Sequence, residues 1–279
     1  RQRQMCIRDS IQLINFAHGE IYMIGAFVAL IVSGVLTIYG FSGVSILILA
    51  ALIAAIYAAA YGYTLEKIAY RPLRNAPRLS PLISAIGMSL FLQNYVLLAQ
   101  TPDFLPFPAL IPDFDFMEPI AHIMGSPELV ILVTSAVSMV ALTVLIKYTR
   151  IGKAMRATQQ DMTMARLVGV NVDNVISMTF IIGSVLAAIG GVLVGSYIGQ
   201  INFYIGFMAG VKAFTAAVLG GIGNIPGAVL GALVLGLTEA YAAGYISSAY
   251  EDVFALGVLV LILIVRPSGL LGKAVKLKV

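Results

Sequence analysis

Long apolar stretches alternate with short polar connectors along the whole of this sequence. Eight stretches stand out, at residues 21–39, 43–63, 81–100, 128–147, 174–197, 209–222, 226–246 and 252–265. Most are long enough for a helix to cross a hydrocarbon layer about 30 Å thick, whereas 209–222 and 252–265 are shorter. The pattern therefore predicts an all-α, polytopic transmembrane helical bundle with about eight membrane-crossing segments, some of them short or broken.

The amino-acid composition agrees with a membrane protein. Hydrophobic residues make up 60% of the 279 residues and charged residues only 11%, whereas a soluble domain carries about 25% charged residues. A water-soluble fold of this length would lack the charge to cover its surface. The only cysteine, Cys6, cannot form a disulfide within the chain, so cysteine usage does not indicate a redox compartment.

The connectors fall into two alternating sets by charge. Residues 64–80, 147–173 and the tail are basic, with Lys67, Arg71, Arg74, Arg78, Lys147, Arg150, Lys153, Arg156, Arg166, Arg266, Lys273, Lys276 and Lys278. Residues 101–127, 198–208 and 246–252 contain no lysine or arginine and include Asp103, Asp113, Asp115, Glu118, Glu251 and Asp252. The positive-inside rule predicts that the basic set and the C-terminus are cytoplasmic. The net charge of +4 is therefore interpreted as topology, not as a nucleic-acid surface.

Helix-breaking residues are concentrated in the apolar stretch 217–240, AVLGGIGNIPGAVLGALVLGLTEA. They predict a helix break near the inner side, at Gly220, Gly221, Gly223, Asn224, Pro226 and Gly227. Broken helices often mark a transport path, because free backbone groups are tolerated only in protein or a wet cavity. The alternative is a tight hairpin in which Gly227 and Gly231 allow close backbone approach. The ladder Gly191, Gly195 and Gly199 has the same packing interpretation.

Lys212 and Glu239 are the only ionisable residues well inside predicted spans. Each costs a few kcal/mol at mid-membrane unless it is paired or solvated. Both fall in the predicted outer half, on neighbouring antiparallel helices, so an ion pair between them is expected. Such a pair either lines a polar path for a zwitterionic substrate or is a buried structural pair, with a snorkelling lysine as a further alternative.

A second group of polar residues precedes and enters the first span. Asn15, His18 and Glu20 lie within INFAHGE, and Gln93 and Asn94 lie in the third span. These are candidate substrate-path residues. His18 and Glu20 face different sides of a helix, and the sequence supplies no second ligand cluster, so no metal site is expected. Amides such as Gln93 and Asn94 more often bond neighbouring helices.

Residues 150–172 are too polar to span a membrane and too regularly patterned for a linker. One side of a single helix would carry Met155, Met162, Ala165, Val168 and Gly169, with Arg156, Gln159, Asp161 and Arg166 largely elsewhere. Such an amphipathic helix either docks into a groove of a partner or lies on the lipid interface. Lys153 and Lys273 follow glycine but precede alanine, so no GxxxxGK[ST] phosphate loop occurs. Any ATPase is expected in another chain.

Five tracts make the sequence recognisable: INFAHGEIYMIGAFVA, EKIAYRPLR, LISAIGMSLFLQNYV, YIGFMAGVKAFTAAVLGGIGNIPGAVLGALVLGLTEA and RPSGLLGK. They resemble the H-type membrane subunit of bacterial branched-chain amino-acid ABC importers, from about residue 14 to 272. The resemblance implies an inner-membrane permease with no catalytic residues or cofactors. It also implies the partners: a second related permease subunit, two cytoplasmic ATPases and a periplasmic binding protein for leucine, isoleucine or valine.

The resemblance also assigns residues 150–172 as the segment that couples to the ATPases. The importer pattern of Glu-Ala-Ala, three residues and Gly matches Thr163, Met164, Ala165 and Gly169, with Asp161 just before it. Threonine replaces the acidic residue of the pattern. The alternative functions are an ion-coupled secondary transporter and an ABC permease for another small solute, such as an amide or urea-like compound. A membrane-embedded enzyme using His18 and Glu20 would need a nucleophile or metal set, which the sequence does not supply.

The N-terminal residues RQRQMCIRDS depart from the family pattern. They contain no apolar core of a signal peptide, so residues 1–10 are expected to be a non-native leader that stands in place of the family's first one to two helices. The expected organisation is then this leader, a single permease domain at 11–272 with its coupling loop at 150–172, and a basic cytoplasmic tail at 273–279.

Overall fold

A computed structural model of the chain describes residues 17–41, 43–74, 76–77, 79–111, 125–221, 223–247, 250–266 and 269–271. These residues belong to two compact units, Arg1–Gly210 and Val211–Val279. Asn15, the leader at 1–10 and the tail at 273–279 lie outside the described residues. Each unit is considered by itself below.

All eight predicted spans are helices. The first unit contains α1 (Ala17–Ile38), α2 (Val44–Leu65), α3 (Leu79–Ala99), α4 (Ser126–Tyr148), α5 (Arg150–Gln160), α6 (Met162–Leu167) and α7 (Val172–Ile198). Helix α8 (Ile205–Gly220) crosses from the first unit into the second, which continues with α9 (Ile225–Tyr245) and α10 (Glu251–Val265). Six of these helices are long and apolar enough to cross a membrane, and Ile205–Gly220 and Asp252–Val265 are shorter apolar helices.

The core of the first unit is formed by α1, α2 and α7, which meet through small residues. Ala50, Ala54 and Ala58 recur every fourth residue on the buried face of α2. A side chain added at Gly25 of α1 would lie 2.6 Å from the Cα of Ala188 in α7. The hydrophobic effect does not drive apolar helices together inside lipid, because lipid tails are as apolar as the side chains. Close backbone packing of this kind stabilises the association of membrane helices instead.

The predicted glycine ladder on α7 divides into two roles. A side chain at Gly191 would collide with the carbonyl oxygen of Tyr22, and one at Gly195 would lie 3.3 Å from Phe107. These two glycines are packing positions, as predicted. Gly199 is not, because it ends α7 in the left-handed conformation, with φ 76°, which glycine adopts without steric cost.

The connectors of the first unit gather at the two opposite ends of α7. At its C-terminal end, β1 (Leu105–Pro106) pairs antiparallel with β2 (Gln200–Ile201). Ser196 Oγ there accepts a hydrogen bond of 2.8 Å from the amide of Leu110. At its N-terminal end, Asp173 contacts Arg71 and Arg74 from the connector after α2. The basic connectors thus meet at one end and the connectors without lysine or arginine at the other, as the charge pattern predicts.

In the second unit, α8 and α9 form a tight hairpin. A side chain at Gly231 would collide with the carbonyl oxygen of Ala216, and one at Gly227 would lie 2.5 Å from that of Gly220. The amides of Leu270 and Leu271 donate to the carbonyl oxygens of Leu219 and Gly220, at 2.9 and 3.1 Å. The helix break thus has the geometry of a packed hairpin, and the chain's own C-terminal segment satisfies carbonyl groups at the end of α8.

We expect Gly25→Val to destabilise the protein and Gly34→Val, on the same helix, to be tolerated. Valine at 25 must displace the backbone of α7, whereas no described residue has an atom within 4 Å of a Cβ atom placed at 34. Overpacking of this kind costs about 1–3 kcal/mol. Thermal unfolding in detergent measures the difference, and equal midpoints for the two variants would show that α1 and α7 do not pack as described.

Candidate functional site

One polar cluster lies inside the first unit, between α1 and α3. Glu20 is fully buried, and its Oε1 accepts a hydrogen bond of 2.8 Å from Ser89 Oγ. Its Oε2 has no hydrogen-bond partner among the described residues. This oxygen packs against Gly206 of α8, 2.6 Å from the position that a Cβ atom would occupy there. A carboxyl group in this setting has only one of its oxygens satisfied, which costs free energy unless another conformation or a ligand supplies the missing bond.

Of the other candidate path residues in the first unit, His18 and Asn94 do not contact Glu20 in the described structure, and Gln93 lies on the face of α3 that carries its partner Ser89. Gln93 is buried on the same face of α3 as Ser89, one helical turn further on. Asn94 lies on the exposed side and donates to the carbonyl oxygen of Leu90 at 2.8 Å. His18 lies against α7, where its Cε1 would be 3.0 Å from a side chain at Gly183. The structure therefore brings Glu20 together with Ser89, which the sequence did not single out, and not with His18 or Asn94.

The second unit contains the ion pair expected between Lys212 and Glu239, at 3.2 Å from Nζ to Oε2. Asp252, at the start of α10, also contacts Lys212, at 3.0 Å from Nζ to Oδ1. The sequence pattern placed Asp252 only in an acidic connector and so missed this contact. Two carboxylates therefore surround one ammonium group, and no described residue forms a hydrogen bond with the buried Oε1 atom of Glu239. The triad of Lys212, Glu239 and Asp252 therefore carries a net charge of −1 when all three groups are ionised.

A shallow cleft lies on α9 beside this triad. It has a volume of about 370 Å³ and is lined by Thr238, Tyr241, Ala242, Tyr245, Ile246 and Phe254. Tyr241 and Tyr245 stack with ring centres 6.0 Å apart, and both are exposed. Tyrosines are enriched where a membrane helix meets water, so this end of α9 has the composition of a membrane interface.

The loop between α4 and α7 contains two short helices, so the prediction of one amphipathic helix over 150–172 is wrong in detail. The chain breaks at Asp161, whose Oδ1 accepts from the amides of Thr163 and Met164, at 2.8 and 3.1 Å. Asp161 is thus the N-cap of α6. The break shifts the helical phase of Met155 relative to the residues of α6. Within and after α6, Ala165 is buried, whereas Val168, predicted on the same side, is the C-cap residue and is exposed.

The end of α6 explains the glycine of the loop pattern. The amide of Val170 donates to the carbonyl oxygen of Ala165 at 3.0 Å, and that of Gly169 donates to Arg166 at 3.1 Å. These are the two bonds of a Schellman motif, which requires a left-handed residue at its centre. Gly169 supplies it, with φ 85°. Asp161 and Gly169 therefore fix the two ends of α6.

The most exposed apolar side chains in and next to α6 are Met164, Leu167 and Val168, and Met162 is less exposed. Leu167 is 75% exposed and Val168 76% exposed. These three side chains are spaced as one stripe on a helix. Large apolar side chains grouped on an exposed helix of a polar loop indicate a binding surface.

A charged cluster that the sequence reasoning missed lies beside this loop. Glu66 is fully buried at the end of α2 and forms an ion pair with Arg74. Arg74 also contacts Asp173, which in turn contacts Arg71. Glu66 and Arg74 both stand in the tract EKIAYRPLR, but the arginines were interpreted only as topology signals. The signal available in the sequence was Glu66 itself, an acidic residue in an otherwise basic connector.

No group of three or more His, Cys, Asp or Glu side chains within the described ranges could hold a metal ion. The polar clusters described above are built from hydrogen bonds and ion pairs. They can orient a polar or charged solute, and none contains the paired nucleophile and base of an acyl-transfer site.

Comparison with known proteins adds a family match. The family model described as "Branched-chain amino acid transport system / permease component" matches residues 8–263. The high-affinity branched-chain amino acid transport system permease protein LivH of Escherichia coli (strain K12) is 48% identical over 267 residues, which cover 94% of this chain and 87% of that protein. BraD of Pseudomonas aeruginosa, named for the same transport system, has the same identity and coverage.

A more distant relative extends the comparison to an archaeon. The probable branched-chain amino acid transport permease protein LivH of Methanocaldococcus jannaschii is 23% identical over 274 residues, which cover 92% of this chain and 82% of that protein. No solved structure matches the chain.

The triad in the second unit predicts an unequal response to neutralisation. Lys212→Met leaves the carboxylates of Glu239 and Asp252 facing each other without a cation, and we expect a loss on the order of 1–3 kcal/mol. Glu239→Gln leaves Lys212 paired with Asp252, so its cost should be smaller. Thermal unfolding of the purified variants tests this order, and a larger loss for Glu239→Gln would contradict the shared pairing.

Proposed function

We propose that this chain, which belongs to the branched-chain amino acid transport permease family, is a membrane subunit of an importer for leucine, isoleucine and valine. The proposal makes it a pathway without covalent chemistry, driven by ATP hydrolysis in separate chains. Its support is the family membership together with membrane-length helices over nearly the whole described chain.

The observation that carries the ATP-driven mechanism is the apolar stripe Met164, Leu167 and Val168. It projects from α6, whose two ends are fixed by Asp161 and Gly169, at the end of α7 where the basic connectors meet. A rigid helix with an apolar face is a surface that a partner groove can receive. We assign an ATPase chain to this surface, since the sequence contains no phosphate-binding loop of its own.

Other partners follow from the family assignment. The importer would contain a second homologous permease subunit and two cytoplasmic ATPases, and a periplasmic binding protein would deliver the amino acid. The chain would cross the bacterial inner membrane several times, with residues 150–172 and the C-terminus in the cytoplasm. The coupling role then belongs to the exposed face of α6, with Asp161, Ala165 and Gly169 supporting its shape and Thr163 exposed beside its cap.

The polar clusters supply candidate points on the substrate path. Within the part of the chain that the structure describes, Glu20 and Glu239 each have a buried oxygen without a hydrogen-bond partner, which suits the ammonium group of a zwitterion. Lys212 is already paired with Glu239 and Asp252, so this triad, with its net negative charge, favours the ammonium group of the solute over its carboxylate. Gln93 is buried beside Ser89, whereas His18 and Asn94 point to other surfaces, so we place less of the path on them.

Reconstitution tests the proposed function directly. The chain is co-expressed with the neighbouring permease and ATPase subunits, and uptake of labelled leucine into vesicles is measured with the binding protein present. We expect uptake only with ATP and all subunits. Uptake by this chain alone under an ion gradient would instead show a secondary transporter, and ATP-driven uptake of an amide but not of leucine would reassign the solute.

The apolar stripe on α6 gives a separate prediction. Leu167→Ser with Val168→Ser should weaken co-purification of the ATPase subunits by at least about tenfold, because each lost apolar contact costs roughly 1 kcal/mol or more. Met162→Ser is the matched control, since Met162 stands on the same helix, two positions before Met164 and on another side. Equal retention of the ATPases by the two proteins would remove the stripe as the docking surface.

A further inference from the structure

We propose that Arg74 is a positioning residue that carries movement of the loop helix α6 to the membrane helices α2 and α7. The inference rests on the proposed function, because it takes α6 as the place where an ATPase chain acts. Arg74 lies in the connector after α2, and its guanidinium group donates to carboxylates on two elements. Nη2 contacts Glu66 at the end of α2, and Nη1 contacts Asp173 in the first turn of α7.

Asp173 joins this arginine to the loop. Its Oδ2 accepts from Arg71 at 2.8 Å, and its Oδ1 lies 3.8 Å from the guanidinium group of Arg166. Arg166 stands in the last turn of α6, two residues from Met164 and next to Leu167. Asp173 is therefore the point at which the loop helix, the start of α7 and the connector after α2 are held together by charge.

Glu66 connects Arg74 to the buried surfaces of the membrane helices α2 and α7. It is fully buried, and its Oε2 accepts a hydrogen bond of 2.7 Å from Ser177 in α7. Glu66 opens a π-helical segment, Glu66–Tyr70, a rare geometry that often marks functional positions in helices. This segment is held to α3 by a hydrogen bond of 3.1 Å from Ser84 to the carbonyl oxygen of Ala69.

The burial of Glu66 makes the link stiff. A buried carboxylate that loses its cation is left uncompensated, which is strongly unfavourable. When α6 moves, Arg74 and Glu66 move with Asp173 as long as the Arg166–Asp173 and Arg74–Asp173 contacts both hold; the Arg166–Asp173 contact is the more exposed of the two. While both contacts hold, the π-helical segment and the end of α2 follow the loop helix.

Arginine is required at this position for a geometric reason. Its planar fork presents separate N–H groups to two carboxylates at once, whereas lysine offers a compact point charge on a flexible stem. Arg74→Lys should keep the charge beside Glu66 and lose the simultaneous contact with Asp173. Arg71→Lys is the matched control, because Arg71 lies in the same connector and contacts Asp173, with no contact to Glu66 among the described residues.

The experiment uses the full complex in proteoliposomes and measures leucine transported per ATP hydrolysed. Arg74→Lys is expected to lower this ratio at least about fivefold, the lower range of measured coupling between distant sites, with ATP hydrolysis retained. Arg71→Lys should leave the ratio at the wild-type value. A merely structural role for Arg74 would lower the thermal midpoint and the amount of complex without changing the ratio.

A second variant protects the test against loss of assembly. Asp173→Asn keeps the shape of a partly exposed side chain and removes the charge that joins Arg166 to Arg74, so it should lower the ratio as well. Wild-type coupling in an assembled Arg74→Lys or Asp173→Asn complex overturns the proposal. If the proposed function itself is wrong, the wild-type complex shows no ATP-driven uptake. That result differs from wild-type coupling in the variants, and it also overturns the role inferred for Arg74.

Discussion

The structure depends on one constraint: inside hydrocarbon, a polar group has no water to bond. Helices satisfy their own backbone, but their ends, breaks and charges must find partners in the protein. This chain meets the requirement by bringing backbones close. Gly25 and Gly191 let α1 reach α7, and Gly227 and Gly231 let α9 reach α8, because small residues allow the dispersion contacts that replace a hydrophobic driving force.

The same constraint accounts for the placement of charge. Glu66 is buried, yet it has an arginine and a serine as partners, and Lys212 has two carboxylates. Glu20 and Glu239 are exceptions, because one oxygen of each has no hydrogen-bond partner among the described residues. Exceptions of this kind are where a transport protein can hold a solute or change conformation, since the missing bond is made in another state. Fully satisfied clusters such as that of Glu66 act instead as rigid connections.

Much of the fold follows from the sequence because hydrophobic runs of helix length are a strong signal, and all eight spans were predicted to within a few residues. The hairpin at Gly220 to Gly227 and the Lys212–Glu239 pair also follow from residue type and spacing. The two-helix form of the loop was missed, since one aspartate that caps a new helix resets the phase of the whole pattern. Asp252 and Ser89 were missed because their partners lie 40 and 69 residues away along the chain, where spacing predicts nothing. The Glu66 cluster was missed because its members lie in connectors, which have no regular spacing.

Accessibility of the connectors tests the central claim, that the basic connectors and those without lysine or arginine lie on opposite membrane faces with the basic set in the cytoplasm. Gln159 and Gln200 are both exposed, the first in α5 within the 150–172 loop and the second in β2. In a Cys6→Ser background, Gln200→Cys should react with an impermeant maleimide in intact cells, and Gln159→Cys only after the membrane is opened. Labelling of Gln159→Cys in intact cells would contradict the account, because no cytoplasmic ATPase could then reach α6.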